Sequence, residues 1–492
     1  MPLKTRAGYR QAAGAGTLLR VPMGNVAAPA SLRRAVLGYG AMIAATIAIF
    51  QAVRWYGQRL VSPLAEHVAI VAAPPPANET FLHVLVALIV VILAARGLGA
   101  VFKRIQQPPV IGEVIAGLAL GPSLLGHFAP DATRFLLPPA VAPFLSVIAQ
   151  VGVVLFMFLV GLELDTSRLR QRTHSTVAIS HASIIVPFLL GSTLALWLYP
   201  VLSSSDVPFT VFALFLGVSL SVTAFPVLAR ILTDRGIQKT RLGVVALTCA
   251  AVDDATAWCL LAFVVSVVNA RASGAVRTFG LSAAYVAAML VVVRPVVAWL
   301  VRRQELRKET PRGAIAAVFI GLLISAAATE AIGIHAIFGA FLMGVILPHD
   351  SLLARKLKRR LEDVVLVVFL PAFFAFTGMR TEIGLLSGAA HWAICIAIIA
   401  VASAGKFGGT FVAARMTGLA PREAASLGIL MNTRGLIELV VLNLGLDLHV
   451  ISPTLFTMLV LMAVVTTLAT TPILHLLHRS EQEPSLLEYP LV

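Results

Sequence analysis

Apolar runs, each separated from the next by a short polar turn, recur along this chain from residue 35 to residue 478. A helix needs about 20 apolar residues to cross a hydrocarbon core of about 30 Å, and run after run meets that length. The pattern predicts helices near 35–53, 80–102, 109–126, 140–163, 176–200, 209–233, 242–269, 278–301, 313–331, 334–348, 361–378, 390–415, 421–444 and 453–478. The strands of a membrane barrel would be shorter and would alternate between apolar and polar positions, a pattern not seen here. The chain therefore reads as an all-α, polytopic membrane protein.

The polar positions between the runs set its orientation. Alternate loops collect the basic residues: Lys103 and Arg104; Arg168, Arg170 and Arg172; Arg235, Lys239 and Arg241; Arg302, Arg303, Arg307, Lys308 and Arg312; Arg355, Lys356, Lys358, Arg359 and Arg360; Arg415, Arg422 and Arg479. The opposite loops hold Arg54, Arg59, Arg134, Arg271, Arg277 and Arg380. The positive-inside rule puts the richer set in the cytoplasm, together with the basic tail 1–34 and the short tail 479–492. The net charge of +15 is thus a topology signal, not a nucleic-acid surface. The composition, 59% hydrophobic and 12% charged, fits a chain immersed in lipid. Cys249, Cys259 and Cys395 sit in apolar runs without metal-ligand spacing and read as packing residues.

The first run is set apart by "APPPANE" (73–79), which reads as a stiff linker. Residues 35–79 are expected to form an extra, retained helix and that linker, ahead of a membrane domain over 80–478. The tail 479–492 is too short for a regulatory domain. Within the membrane domain "FLVGLELDTSRL" (158–169) resembles "AFTGMRTEIGLL" (375–386), aligning Gly161 with Gly378, Asp165 with Glu382 and Leu169 with Leu386. Gly117 aligns likewise with Gly339. The paired helices are an odd number of spans apart, so the two copies are expected to run in opposite senses, as in secondary transporters.

Charged residues inside spans are costly and mark candidate sites. The basic ones are Arg96, Arg230, Arg294, Lys406 and Arg434; the acids in or bordering spans are Glu113, Glu163, Asp253, Asp254, Glu330 and Glu438. Arg96 and Arg294 lie near helix ends and can snorkel. Asp253 and Asp254 lie at least ten residues from either end of their predicted helix. Adjacent helical residues project about 100° apart, so the two acids cannot grip one ion as a clamp. One can face a buried partner while the other faces a cavity. Neighbouring carboxylates in a dry site cannot both keep an uncompensated charge, so a proton or a cation must accompany them. Exchange of one for the other is antiport chemistry. Lys406 can neutralise only one of the two.

Two spans carry breaks. In "VSLSVTAFPVLARIL" (218–232) Pro226 lacks an N–H and frees the carbonyl of Val222, with Ser219, Ser221 and Thr223 close by. In "LMNTRGLIEL" (430–439) Asn432, Thr433, Arg434 and Gly435 interrupt the second span, and Arg434 and Glu438 are spaced to pair if the helix continues. Arg434 and Glu438 read chiefly as stabilising that break. Interrupted spans at corresponding places in two halves are a strong pointer to a transport site. Lys406 lies on the helix before the second break and the acid pair on the helix after the first, so an inverted repeat can bring them together.

These stretches resemble a known family. "QQPPVIGEVIAGLALGPSLLG" (106–126), "LFMFLVGLELD" (155–165), "AAVDDATAW" (250–258), "IGIHAIFGAFLMGVILP" (332–348) and "LGILMNTRGLIELVVLNLGL" (427–446) are similar, in order, to motifs of the monovalent cation:proton antiporter-2 family. The likeness is to the membrane portion of plant cation/H+ exchangers and bacterial K+/H+ or Na+/H+ antiporters. It implies a 13-helix inverted-repeat fold with two broken crossing helices, here with one extra N-terminal helix. It also implies a homodimer in the cell membrane, without enzymatic activity or a cofactor. A core (176–269 and 390–478) would slide like an elevator against a dimerisation scaffold (80–163 and 313–378), with 278–301 as the linker helix. Asp254 matches the family's essential acid and would bind Na+ or K+ and H+ by turns. Asp253 matches the preceding acid, which in some members pairs with the lysine found here as Lys406. Thr223 matches a cation-lining position. Members with a double acid are often electrogenic. Many relatives carry a large cytoplasmic C-terminal domain that this sequence does not show. Exchange of another cation or an organic solute on the same fold stays open. An intramembrane aspartyl protease is a remote alternative, since that chemistry needs acids on two helices facing one water.

Overall fold

The computed structural model describes residues 29–63, 77–163, 174–204, 207–273, 275–305 and 312–478, which are almost wholly helical. The chain divides into residues 1–45, whose described part is the start of the first helix, and residues 46–492, which hold every contact given below. The first helix, α1, spans Pro29–Gly57. It is followed by α2 (Ala77–Arg104), α3 (Pro109–Leu120), α4 (Ala142–Glu163) and α5 (His174–Leu202). Next come α6 (Phe209–Ser221), α7 (Phe225–Asp234) and α8 (Arg241–Ser273). Helices α9 (Ala275–Ala288) and α10 (Arg294–Glu305) are joined by a π-helical turn. The remainder is α11 (Arg312–Ile332), α12 (Ala336–Ile346), α13 (Leu352–Val364), α14 (Leu370–Met379), α15 (Gly388–Met416), α16 (Pro421–Met431), α17 (Leu436–Asp447) and α18 (Pro453–His478). Among the described residues, 11 helices are long and apolar enough to cross a membrane, or 12 if α16 and α17 form one bent span. This is a multi-pass α-helical membrane protein.

The boundaries differ from the sequence reading in instructive places. Helix α1 begins at Pro29, so the last residues of the basic tail are helical, and α2 begins at Ala77, inside the expected linker. Residues 1–28, the remainder of the linker, Asp165 and Leu169, and the tail 479–492 lie outside the described residues. The basic stretch 352–360, expected as a loop, is helical. Leu353, Ala354 and Leu357 are buried on one face while Arg355, Lys356, Arg359 and Arg360 are exposed, and Ser351 caps the helix by accepting from the Ala354 N–H. Charge alone suggested a loop; the apolar spacing made a surface helix that continues through a π turn into α14.

Two backbone crossings hold the membrane part of the first and last thirds together. Gly117 of α3 lies directly against the backbone of Phe374 and Ala375 of α14, and Gly378 lies against the carbonyl of Gly117. Gly161 of α4 and Gly344 of α12 abut in the same manner. A Cβ at any of these glycines would overlap main chain, so only glycine permits the approach. Around the middle of the chain α5 and α15 pack along one another, with α8 against α5 and α18 against α15.

Candidate ion-binding site at the crossing of two broken helices

Both interrupted spans are broken where the sequence indicated. The first opens at Val222–Ala224, which is extended, and the second between Met431 and Leu436. Pro226 is the second residue of α7, where a missing N–H loses no intrahelical bond. It starts a new helix rather than kinking a continuous one.

The two gaps cross and are bonded to each other. The Ala224 N–H donates to the Thr433 carbonyl at 3.0 Å. Each gap leaves helix-end carbonyls without intrahelical partners, and each is served from the other span. Arg434, fully buried, donates through Nη1 to the Ser219 carbonyl (2.9 Å) and through Nη2 to the Leu220 carbonyl (2.7 Å) at the end of α6. Thr223 Oγ1 lies 3.1 Å from the carbonyl of Met431, the last residue of α16. The cationic fork also complements the negative end of the α6 dipole, and Glu438 sits in the first turn of α17, where an anion is favoured. Arg434 Nη1 meets Glu438 Oε2 at 2.9 Å, with both side chains fully buried. The pair forms although no helix runs through Gly435; its backbone there is extended. A Cβ on Gly435 would press on Val227 and Ala224. Asn432 Nδ2 lies 3.4 Å from Ser403 Oγ, and Ser221 Oγ donates within its own helix to the Gly217 carbonyl at 2.7 Å. Both are supports of the breaks rather than part of the acid cluster.

The acid pair stands beside this crossing, and its members differ sharply. Asp253 is fully buried and fully engaged. Its Oδ1 accepts from Ser180 Oγ at 2.5 Å; its Oδ2 accepts from Ser183 Oγ at 2.6 Å and from Lys406 Nζ at 3.0 Å. Lys406, also fully buried, donates to Thr223 Oγ1 at 2.5 Å, and that hydroxyl stands 3.0 Å from Asp253 Oδ2. A buried ion pair persists only when its remaining lone pairs and protons are satisfied, and hydroxyls from α5 and from the first break do this here. Asp254 is nearly as buried, at 4% exposure, yet its Oδ1 has no hydrogen-bond partner among the described residues. The Phe225 N–H, at the start of α7, is directed to its carboxylate. A helix N-terminus of this kind favours an anion. Two acids sharing one water, as in an aspartyl protease, is not this geometry, because Asp253 is taken up by Lys406 and three hydroxyls.

The other charged residues of the spans separate cleanly. Arg294 is exposed, Arg96 is half exposed and 3.8 Å from Glu113, and Arg230 pairs with Asp234 at 3.0 Å on the surface. Glu330 is exposed and accepts from the Ala336 N–H at 2.7 Å, capping α12. Only Lys406 and Arg434 among the five basic residues are fully buried. Sequence reasoning missed Ser180 and Ser183, hydroxyls three apart on one face of α5, and Thr467 of α18. Thr467 Oγ1 accepts from the Arg434 N–H at 2.9 Å and steadies the second break.

Comparison with known proteins identifies the architecture. Residues 76–477 match the family model for the transmembrane part of sodium/hydrogen exchangers. The chain belongs to the sodium/hydrogen exchanger family. Within this family it is 44% identical over 398 residues to the Na(+)/H(+) antiporter NhaS4 of Synechocystis, covering 80% of this chain and 97% of that one. It is 39% identical to Cation/H(+) antiporter 20 of Arabidopsis thaliana and 37% identical to K(+)/H(+) antiporter 1 of Saccharomyces cerevisiae. Those alignments take in 81% and 78% of this chain but 48% and 44% of the relatives, so it spans about half their length. Among solved structures, the sodium proton antiporter MjNhaP1 of Methanocaldococcus jannaschii superposes with a TM-score of 0.53 at 13% identity, covering 83% of this chain and all of that one. That likeness speaks for the exchanger fold alone.

The Asp253–Lys406 pair carries a stability prediction. Asp253→Asn or Lys406→Met alone leaves one uncompensated charge in a dry site, a loss of about 3–5 kcal/mol when one partner of a buried pair is removed. Both single variants should melt well below the wild type in detergent, and the double variant should recover most of the loss. A double variant no more stable than the worse single would show that pairing is not what holds these residues.

Proposed function

We propose that this chain is a Na+/H+ or K+/H+ antiporter in which Asp254 carries the cation or the proton by turns. The carrying observation is the contrast within the acid pair: Asp253 is saturated by Lys406, Ser180, Ser183 and Thr223, while Asp254 keeps an oxygen unused beside a helix N-terminus. The Asp253–Lys406 pair is neutral as a unit. One Na+, K+ or H+ on Asp254 therefore neutralises the whole site. A neutral site crosses a low-dielectric barrier at small cost, whereas an empty carboxylate meets a penalty of several kcal/mol. That difference couples the two fluxes, since the site travels only when loaded. Thr223 serves in this reading by joining Lys406 to Asp253 and to the end of α16.

The movement is assigned to an elevator slide of a core (176–269 and 390–478) on a scaffold (80–163 and 313–378), with 278–301 linking inverted repeats. The glycine crossings, α3 on α14 and α4 on α12, support the repeat, because an alignment that matches α3 with α12 and α4 with α14 exchanges one crossing for the other, with Gly344 rather than the aligned Gly339 as the contact glycine of α12. On the side away from the basic loops, Asn443 and Asp447 of α17 bond Thr377 (2.8 Å) and Arg380 (2.6 Å to Asp447) at the end of α14. A slide has to break these bonds. A homodimer in the cell membrane with both termini in the cytoplasm completes the reading.

The test is reconstitution in vesicles with an acid interior and a pH-sensitive dye, followed by addition of Na+ or K+. Cation-dependent collapse of the gradient is expected with at least one of them, and comparison of the two fixes the preferred ion. No response to any monovalent cation overturns the antiporter reading.

A further inference from the structure

Glu163 ends α4. Its Oε1 meets Lys358 Nζ of the surface helix α13 at 2.7 Å, at the water's edge, with the two side chains 32% and 42% exposed. A chain of contacts connects this pair to the ion site. Trp258, one turn along α8 from Asp254, sets its ring 6.0 Å from that of Phe338, edge-on, and 6.0 Å from that of Phe341, tilted, both on α12. The carbonyl of Phe341 lies directly against Gly161, two residues before Glu163, and a ring nitrogen of His349 donates to the Leu162 carbonyl at 2.7 Å. Side-chain and backbone contacts thus run from α8, next to Asp254, through α12 to the end of α4 at Glu163.

The surroundings of Glu163 are otherwise hostile to a cation. Arg355, Lys356, Arg359 and Arg360 are exposed on the same helix as Lys358, and a field of one sign repels ions of that sign. A carboxylate on the chain of contacts between this basic surface and Asp254 offsets that repulsion. Lys358 is itself a monovalent cation on a flexible stem, and Glu362, one turn further along α13, is a second carboxylate within its electrostatic reach. It can leave Glu163 for Glu362 without being stranded.

We propose that Glu163 is the first ligand for the transported cation on the side of the basic loops, and that Lys358 occupies it as a tethered substitute which the incoming ion displaces. This rests on the antiporter reading and adds a specificity-determining residue to it. Glu163→Gln should raise the apparent KM for the transported cation roughly three- to tenfold at low ionic strength, with kcat little changed, and added salt should shrink the difference. Lys358→Gln should move KM the opposite way, by about twofold or more, because it frees the same carboxylate. Glu163→Asp should restore part of the affinity. Melting curves with Na+ or K+ titrated in provide the binding readout without transport: the cation concentration giving half the stabilisation should rise in Glu163→Gln and fall in Lys358→Gln.

A structural ion pair predicts otherwise, since loss of either partner then has the same effect. Shifts of KM in the same direction for both variants, or no shift in either, overturn the role of Glu163. A wild-type protein that exchanges no monovalent cation overturns the antiporter reading instead, and this inference with it.

Discussion

Asp254→Asn is expected to abolish cation-dependent proton flux and to leave a folded protein. Both halves of this expectation come from the same geometry. Asp254 is 4% exposed, and its Oδ1 makes no hydrogen bond among the described residues. The substitution therefore removes a charge and little else. Its amide occupies the space of the carboxylate, and loss of an unpaired buried charge relieves a desolvation cost instead of adding one. The melting temperature should equal or exceed that of the wild type. Transport should fall to the level of empty vesicles, because the neutral pair Asp253–Lys406 is then all the charge that remains, and neither a cation nor a proton has a carboxylate to neutralise. A site that is permanently neutral has lost the exchange of loads, not the ability to move. Cation-dependent flux that survives in this variant assigns the carrier elsewhere, and Asp253 would be the next residue to test. A variant that fails to fold would contradict the description of Asp254 as a carboxylate whose contact with the Phe225 N–H an amide oxygen can keep and whose Oδ1 bonds nothing among the described residues.

The spans, the two breaks and the acid pair were legible in the sequence because each has a one-dimensional signature: run length, a proline or glycine among hydroxyls, and charge where charge is costly. What Asp253 touches was not legible. Ser180 and Ser183 lie on α5, about seventy positions upstream, and a serine in a membrane helix ordinarily bonds its own backbone, so "ISHAS" carried no sign that two hydroxyls face an acid. Lys406 was legible as a partner through the expected inverted repeat and the family resemblance, while the packing of its helix α15 along α5, which carries the two serines, was not. The role of Arg434 was half seen. Its spacing from Glu438 suggested a pair conditional on a continuous helix, whereas the helix is interrupted at Gly435 and the pair forms regardless. The more consequential contacts, with the carbonyls of Ser219 and Leu220, lie more than two hundred residues away and follow from the crossing alone. The α13 helix was misjudged for the opposite reason: five basic residues in a row of six outweighed an apolar spacing that was there to be read.

Arg434→Ala should be the most destabilising single change in the site. The guanidinium is fully buried and serves three acceptors, the carbonyls of Ser219 and Leu220 and the carboxylate of Glu438. Truncation leaves Glu438 as a buried charge without its partner, a loss of about 3–5 kcal/mol. It also strands two helix-end carbonyls, each costing about 1–3 kcal/mol when nothing replaces the bond. The sum is comparable to the whole stability of a typical folded domain, about 5–15 kcal/mol. The variant should fail to accumulate, or elute as aggregate from size exclusion in detergent. Arg434→Lys tests the geometry separately from the charge. An ammonium keeps the attraction to Glu438 but has no planar fork to span two successive carbonyls, so it should fold with a melting temperature between those of the wild type and Arg434→Ala. Glu438→Gln in the Arg434→Ala background removes the stranded charge and should regain part of the loss, leaving the cost of the bare carbonyls. Wild-type melting in Arg434→Ala, with transport lost, would mean that the crossing holds without its fork and that Arg434 acts on the ion. Its distance from Asp254 in the bonding pattern argues against that: Arg434 is fastened to the end of α6 and to Glu438, while Asp254 faces the start of α7. The two sides of the first break are thereby kept apart, a positive charge closing one helix end and an unpaired acid left at the other.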